Sequence, residues 1–334
     1  MPNRSTIRDV SDRAGVSIKT VSRVINKERY VRDATRLKVE AAMAALDFRP
    51  SAAARALAGA KSWQVAVLYD NPSPYYVFHL LAGVREGCRE RGFRLIPHEC
   101  DAFDPALVDE IRALFFETHI DGLILSPPVG ENRPLLAELS RRKLPFVRIA
   151  PGITDTAASV SIDDAAGAEA MTAHLIALGH RRIGFVSGHP GHPASAERAA
   201  GHARALAVAG ITPDPALMRP GRFDFASGRA AGAQLLDLAV PPTAIFAAND
   251  DMAAGVMAIA HERGLAVPGD VSIAGFDDTD LAGMLWPPLT SVHQPTRELG
   301  HAAAGLLLDA AAGHRLLDHQ LIVRGSTAPP SVQG

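Results

Sequence analysis

The residues best placed to do chemistry in this chain lie near its start. Ala14-Gly15-Val16 supplies a tight corner, with a small side chain where two helices meet and a glycine where the backbone turns. The helix that follows displays Ser17, Ile18, Lys19, Ser22, Arg23 and Asn26 on its outward side. Hydroxyl, amide, ammonium and guanidinium groups in that arrangement can bond base edges and phosphates in a DNA major groove. Catalytic constellations are missing. No Gly-x-Gly-x-x-Gly follows a strand, and there is neither a Walker loop nor a Gly-x-Ser-x-Gly elbow. The one close histidine pair, His189-Pro-Gly-His192, has no acid nearby in sequence to complete a zinc set, so no catalytic residue, cofactor or metal is expected.

The elements that position these groups follow from apolar spacing. Three short helices are expected within residues 5–46, with Ile7, Val10 and Ala14, then Val21, Val24 and Ile25, then Val39, Ala42, Met43 and Leu46 as their inward stripes. Ser17 is placed to cap the second. Residues 51–58 form an Ala-rich stretch that is too short to be a stable helix alone, and reads by itself as a linker. Beyond Trp63, short apolar runs alternate with amphipathic helices. Strands are expected at 65–69, 94–97, 122–126, 146–149 and 160–162, and again at 183–187, 244–247 and 272–276. Helices are expected at 77–91, 105–117, 134–142, 164–178, 195–209, 227–238 and 250–263. Such alternation implies parallel sheets with right-handed crossovers, and two series imply two sheets. The late runs 290–294 and 320–323 are expected to cross back between them.

Composition sets the outer bounds. A chain of 334 residues, 47% hydrophobic and 21% charged, fits two or three globular domains rather than a disordered or fibrous protein. No apolar run is long enough to span a membrane, the N-terminus has no secretory pattern, and two cysteines make no disulfide framework. A cytoplasmic protein is expected. The net charge of −2 hides an asymmetry: the first 60 residues carry +6 and the remainder −8. A basic head on an acidic body is the electrostatic pattern of a nucleic-acid binder with a separate sensing body.

The pattern can be placed more closely. Asp9-Val10, Ala14-Gly15-Val16-Ser17, Thr20-Val21-Ser22-Arg23-Val24-Ile25-Asn26, Val39-Glu40-Ala41-Ala42, Leu46-Asp47-Phe48-Arg49-Pro50 and Ala54-Arg55-Ala56-Leu57-Ala58-Gly59 resemble the head of the lactose-repressor (LacI/GalR) family. In the body, His174-Leu175, Leu178-Gly179-His180-Arg181-Arg182-Ile183-Gly184, Ala247-Ala248-Asn249-Asp250, Gly275-Phe276-Asp277-Asp278-Thr279 and Pro288-Leu289-Thr290 extend the resemblance over essentially the whole chain. It implies a helix-turn-helix head over 1–50, a hinge helix and linker over 51–60, and a core over 61–334 of two α/β subdomains like a periplasmic binding protein.

The resemblance also assigns roles. Thr20 falls within the matched recognition helix, and the pair after Ser17 tunes operator choice. Ile18 can touch a thymine methyl and Lys19 can donate to guanine. Arg23 is the candidate for a bidentate guanine contact. Ser22, Asn26, Tyr30, Arg32 and Thr35 are phosphate contacts that set register. Leu57 matches the family's minor-groove wedge, flanked by Ala54 and Arg55, and this turns the 51–58 linker into a hinge helix. In the cleft between subdomains, Arg198, Asn249 and Asp277 match ligand positions, Phe223 matches a stacking aromatic, and Gln294 faces the cleft. Asp70, Asn71 and Tyr75 line the N-terminal lip, with Ser126 nearby. Where some sugar-binding members carry an aspartate this chain has Ala150, and Asp70 can substitute from across the cleft. Asp163, Asp164 and Asp278 read instead as caps, His180 as a structural loop residue, and Asn71-Pro-Ser-Pro also as a rigid turn.

The function implied is a homodimeric repressor of a carbohydrate-utilisation operon, released from operator DNA by a mono- or disaccharide. The alternative is a regulator whose ligand tightens DNA binding. Replacing Leu57 by Ala is expected to weaken binding to a specific operator while leaving binding to random DNA at the same salt nearly unchanged; an equal loss on both in fluorescence anisotropy excludes the wedge role.

Overall fold

At the N-terminal end, α1 (Ile7–Ala14), α2 (Ile18–Ile25) and α3 (Asp33–Ala45) enclose a small cluster of Val10, Val21, Val24, Val39, Ala42 and Phe48. The computed structural model describes residues 5–25, 30–48, 61–152 and 157–331. Asn26, and Ala54, Arg55 and Leu57 of the expected hinge, lie outside the described residues. Thr6 and Asp9 bond each other's backbone in a reciprocal capping box at the start of α1. Gly15 ends that helix at φ 63°, the left-handed conformation its position in the corner requires. The Ser17 hydroxyl accepts from the Thr20 N–H at 3.2 Å and so caps α2.

The chain forms two compact units, residues 1–64 with 111–121, and residues 65–110 with 122–334. In the first, the Asp121 carboxylate accepts from the backbone N–H groups of Ser62, Trp63 and Gln64, fixing the segment that leads into the sheet.

Among the described residues twelve strands follow: β1 (Gln64–Tyr69), β2 (Arg94–Glu99), β3 (Gly122–Leu125), β4 (Phe146–Ile149), β5 (Ser159–Ser161), β6 (Ile183–Ser187), β7 (Met218–Pro220), β8 (Ala244–Ala247), β9 (Ser272–Asp277), β10 (Thr290–His293), β11 (His314–Leu316) and β12 (Gln320–Ile322). The helices are α4 (Pro74–Glu90), α5 (Leu107–Thr118), α6 (Arg133–Arg141), α7 (Asp164–Ala177), α8 (Pro193–Val208), α9 (Phe225–Leu236), α10 (Asp250–Glu262), α11 (Asp280–Met284) and α12 (Thr296–Leu308). One sheet has the order β11-β5-β4-β3-β1-β2 and the other β12-β10-β9-β8-β6-β7. The central strands β3 and β8 are buried throughout, as continuous apolar runs in parallel sheets must be.

The sequence reading of the late strands needs correcting. Both 290–293 and 320–322 belong to the second sheet, where β10 and β12 pair antiparallel. The crossing is made between them: α12 packs on α4, β3, β4 and β5, and β11 pairs with β5 in the first sheet. Its three residues, His314, Arg315 and Leu316, are all exposed, so no alternation marks them as a strand.

Helix pairs meet at glycines. A β-carbon on Gly83 of α4 would lie 1.8 Å from the Arg297 carbonyl oxygen of α12, and one on Gly201 of α8 would lie 2.0 Å from the Ala165 carbonyl oxygen of α7. Backbone opposes backbone at both crossings, so nothing flexible can give way. Gly83→Ala is therefore expected to destabilise the fold by about 1–3 kcal/mol, read as a lowered thermal midpoint. An unchanged midpoint excludes this close approach.

Candidate functional site

Open parallel sheets bind ligands beyond the carboxyl ends of their strands, where consecutive connections leave in opposite directions. Here those points fall between β1 and β3 in one sheet and between β6 and β8 in the other. A single pocket collects the strand ends: Asn71 after β1, Pro127 after β3, Ala150 after β4, Asp164 after β5, His192, Ala194 and Arg198 after β6, Phe223 after β7, Asn249 after β8, Asp277 ending β9 and Gln294 after β10, with Tyr76 from α4.

Arg198 organises the floor. Its Nε donates to Asp164 Oδ1 at 2.8 Å, Nη1 to the Ala248 carbonyl, and Nη2 to Gln294 Oε1 at 3.1 Å. Asp277 Oδ1 lies 3.3 Å from Nη1, and the guanidinium carbon sits 3.6 Å from the Phe276 ring centroid. The fork expected to clamp a ligand is thus largely committed to the protein, and it holds two carboxylates at the pocket wall. Burial pushes the Asp277 carboxyl up to about 7; Arg198 pulls the other way, and Asp164 and Asp251 reinforce the rise. Burial, then the charges of Asp277 and Asp164, raise the Tyr76 phenol. Burial takes His192 down to about 4, helped by His189 and Arg198, so its imidazole is neutral near pH 7.

Asn249 is likewise engaged. Its carbonyl oxygen accepts from Met252 N–H at 3.0 Å, capping α10, while its amide donates to the Phe223 carbonyl. The Tyr76 hydroxyl and the Gln294 Nε2 have no hydrogen-bond partner among the described residues, although both side chains line the pocket. With the two carboxylates they offer both donors and acceptors to a polar ligand.

The structure brings together Asn71, Arg198, Phe223, Asn249, Asp277 and Gln294. It does not bring in Tyr75, Ser126 or Asp70. Tyr76 replaces Tyr75, because α4 starts at Pro74 and its buried stripe runs Tyr76, Leu80, Val84 at intervals of four, a spacing already legible in the sequence. Ser126 is buried beneath the pocket and its neighbour Pro127 faces it. Asp70 accepts from Ala102 N–H at 2.9 Å and lines a wider opening of about 450 Å³ instead, shared with Asn71, His192, His189, Phe103 and Arg222. It does not stand in for the aspartate absent at Ala150. The carboxylate that does line the pocket is Asp164, expected only as a cap; Asp163 alone caps α7, accepting from Ala166 N–H at 2.8 Å. Asp278 lies outside this pocket, paired with His293 and Arg324. His180 bonds Thr243 and the Ala328 carbonyl, a structural role. Asn71 Oδ1 accepts from Ser73 N–H, so this segment is both a turn and part of the lining.

The cleft is closed over a free space of about 30 Å³. A buried hydrogen bond from Ser73 Oγ to Asp251 Oδ2, at 2.6 Å, joins α4's N-cap to α10 across it. In the head, Ser17, Ile18, Lys19 and Arg23 are exposed along one side of α2, while Thr20 and Ser22 are half-buried beside it. Tyr30 and Arg32 are exposed before α3, and Thr35 is half-buried in its first turn.

Comparison with known proteins agrees with this architecture. Residues 6–51 match the family model of bacterial regulatory proteins, lacI family, and residues 172–327 match that of the periplasmic binding protein-like domain. The HTH-type transcriptional repressor PurR of Vibrio atlanticus (strain LGP32) is 36% identical over 308 residues, 91% of each chain. The solved structure of the transcriptional regulator CelR–cellobiose complex is 32% identical, with a TM-score of 0.73 over 97% of this chain and 100% of that one. The lac repressor dimer bound to operator and the anti-inducer ONPF is 29% identical, with a TM-score of 0.81 over 98% and 100%. The chain belongs to the LacI family of bacterial transcriptional regulators: a helix-turn-helix head joined to a two-subdomain α/β core like a periplasmic binding protein. Among the described residues no helix is long and apolar enough to cross a membrane.

The raised Asp277 carboxyl has a direct consequence. Held near 7 in the fold against an ordinary 3.8, it stabilises the protein fully below the lower value and loses that contribution as pH rises through about 7. The stability of the natural protein relative to Asp277→Asn is expected to fall between pH 5 and pH 8 in denaturant titrations. A pH-independent difference rules out the shift.

Proposed function

We propose that this protein is a homodimeric repressor that binds a pseudo-palindromic operator and releases it when a mono- or disaccharide occupies the core pocket. The observation that carries the reading is the convergence of strand ends from both sheets on one pocket walled by Asp164, Asp277, Asn249 and Gln294. Carboxylates there accept from vicinal hydroxyls, the Gln294 amide and Tyr76 phenol donate, and the buried Phe223 ring offers a face to the apolar side of a sugar. Relatives point the same way, since one solved neighbour carries cellobiose and another is an operator-bound dimer.

In this reading residues 1–50 are the headpiece, 51–60 the hinge and 61–334 the sensing and dimerisation core. Ser17, Ile18, Lys19, Thr20, Arg23 and Asn26 face the major groove or its phosphates, Tyr30, Arg32 and Thr35 hold the backbone, and Leu57 kinks the centre of the site. Dimerisation is supported by Phe78, Met284 and Trp286, which are 65%, 70% and 82% exposed; the His79–Asp280 pair, 3.1 Å apart, links α4 to α11 within the same region. The protein acts where its DNA is, in the cytoplasm, and as a regulator rather than a catalyst. A sugar enters by parting Ser73 from Asp251, and the subdomain shift that follows disfavours the DNA-bound arrangement of the two heads.

Operator binding measured by fluorescence anisotropy at fixed salt, titrated with mono- and disaccharides, tests this. One sugar is expected to weaken binding by roughly 5–150-fold, equivalent to about 1–3 kcal/mol of coupling. A ligand that tightens binding instead reverses the switch while leaving the site in place. No response to any sugar overturns the carbohydrate reading. Arg198→Ala is expected to abolish the response while operator binding persists. It also strands two buried carboxylates, so its unfolding free energy should drop by about 3–5 kcal/mol.

A further inference from the structure

A second cavity, of about 240 Å³, opens at the outer edge of the second sheet, between α8, the start of β6 and the segment leading into β7. Ile183, Leu206, Ile211, Leu217 and Met218 make its lining almost wholly apolar, and the ring of His202 completes it. None of these residues belongs to the effector pocket.

His202 is only 2% exposed. With the Thr172 hydroxyl donating to the Ala168 carbonyl at 2.9 Å, its lone pairs face His202 Nδ1, 3.0 Å away. In that arrangement Nδ1 carries the proton, and Nε2 is an acceptor with no hydrogen-bond partner among the described residues. One ring face stacks on Phe185, centroids 4.8 Å apart at 16°, which holds the imidazole in place. Burial lowers its pKa to about 4, so the acceptor persists at neutral pH. A donor that enters the cavity can therefore reach an acceptor that the protein itself leaves unpaired.

We propose that this cavity binds an uncharged, ring-sized apolar molecule bearing one N–H or O–H donor, of the indole or phenol class. Size favours this class, because an apolar cavity of about 150 Å³ already accommodates benzene. The site is placed to communicate with the cleft. His202 lies one helical turn beyond Arg198 on α8, so a molecule seated against its ring bears on the helix that carries the buried cation.

Isothermal titration of the full-length protein with indole and with 1-methylindole tests the site. Indole is expected to bind one-to-one and roughly tenfold more tightly than its methylated analogue, the value of one hydrogen bond. His202→Phe keeps the ring but removes the acceptor, and should bring the two affinities together. Ala203→Trp, at an exposed position on the rim, should abolish binding of both without threatening the fold. Absence of saturable binding at millimolar indole, an indole preference that survives in His202→Phe, or unchanged binding in Ala203→Trp would each overturn the proposal.

Discussion

The core is organised around one electrostatic constraint: a guanidinium buried to 4% exposure must be surrounded by acceptors. Arg198 meets it with a carboxylate after β5, a carbonyl after β8, a carboxylate at the end of β9 and an amide oxygen after β10. Four strand ends are thereby drawn to one point, and the pocket is the space they leave. The same cation keeps two acids close together in an apolar setting. A polyol that brings hydroxyl donors to those acids exploits charges the fold has already placed, with little reorganisation.

Across the cleft the two subdomains are joined by a different contact. Ser73 caps α4 through its hydroxyl, which also donates to Asp251, so one oxygen serves the helix terminus and the cleft together. Asp251 sits in the first turn of α10, beside the Asn249 that caps it. Any ligand that parts these groups disturbs the starts of two helices at once, one in each subdomain.

Much of this was legible in the sequence. The strands at 146–149, 183–187 and 244–247 fall where their apolar runs begin and end, because fully buried parallel strands have sharp compositional edges. Gly15, Ser17 and the valines of the head were equally readable, since corner, cap and core each demand particular residue types. What escaped was of two kinds. Exposed β11 carries no alternation, and its place beside β5 comes from a long-range return of the chain. Asp164 was read as a cap because an acid at a helix start usually is one; only the position of α8 turns it toward Arg198. Tyr76 follows from the spacing of its helix once that helix starts at Pro74 rather than at 77.

The return of the chain has a consequence for biosynthesis. The first sheet opens at residue 64 yet receives its last strand at 314–316, and the helix that covers β3, β4 and β5 spans 296–308. At about 5–20 residues per second, the ribosome emits most of the first subdomain well before the pieces that complete its sheet. Until then the α4 face around Gly83 and Gly87 has no helix against it. The helix-turn-helix head thus emerges well before the segment 296–316 that completes the first sheet.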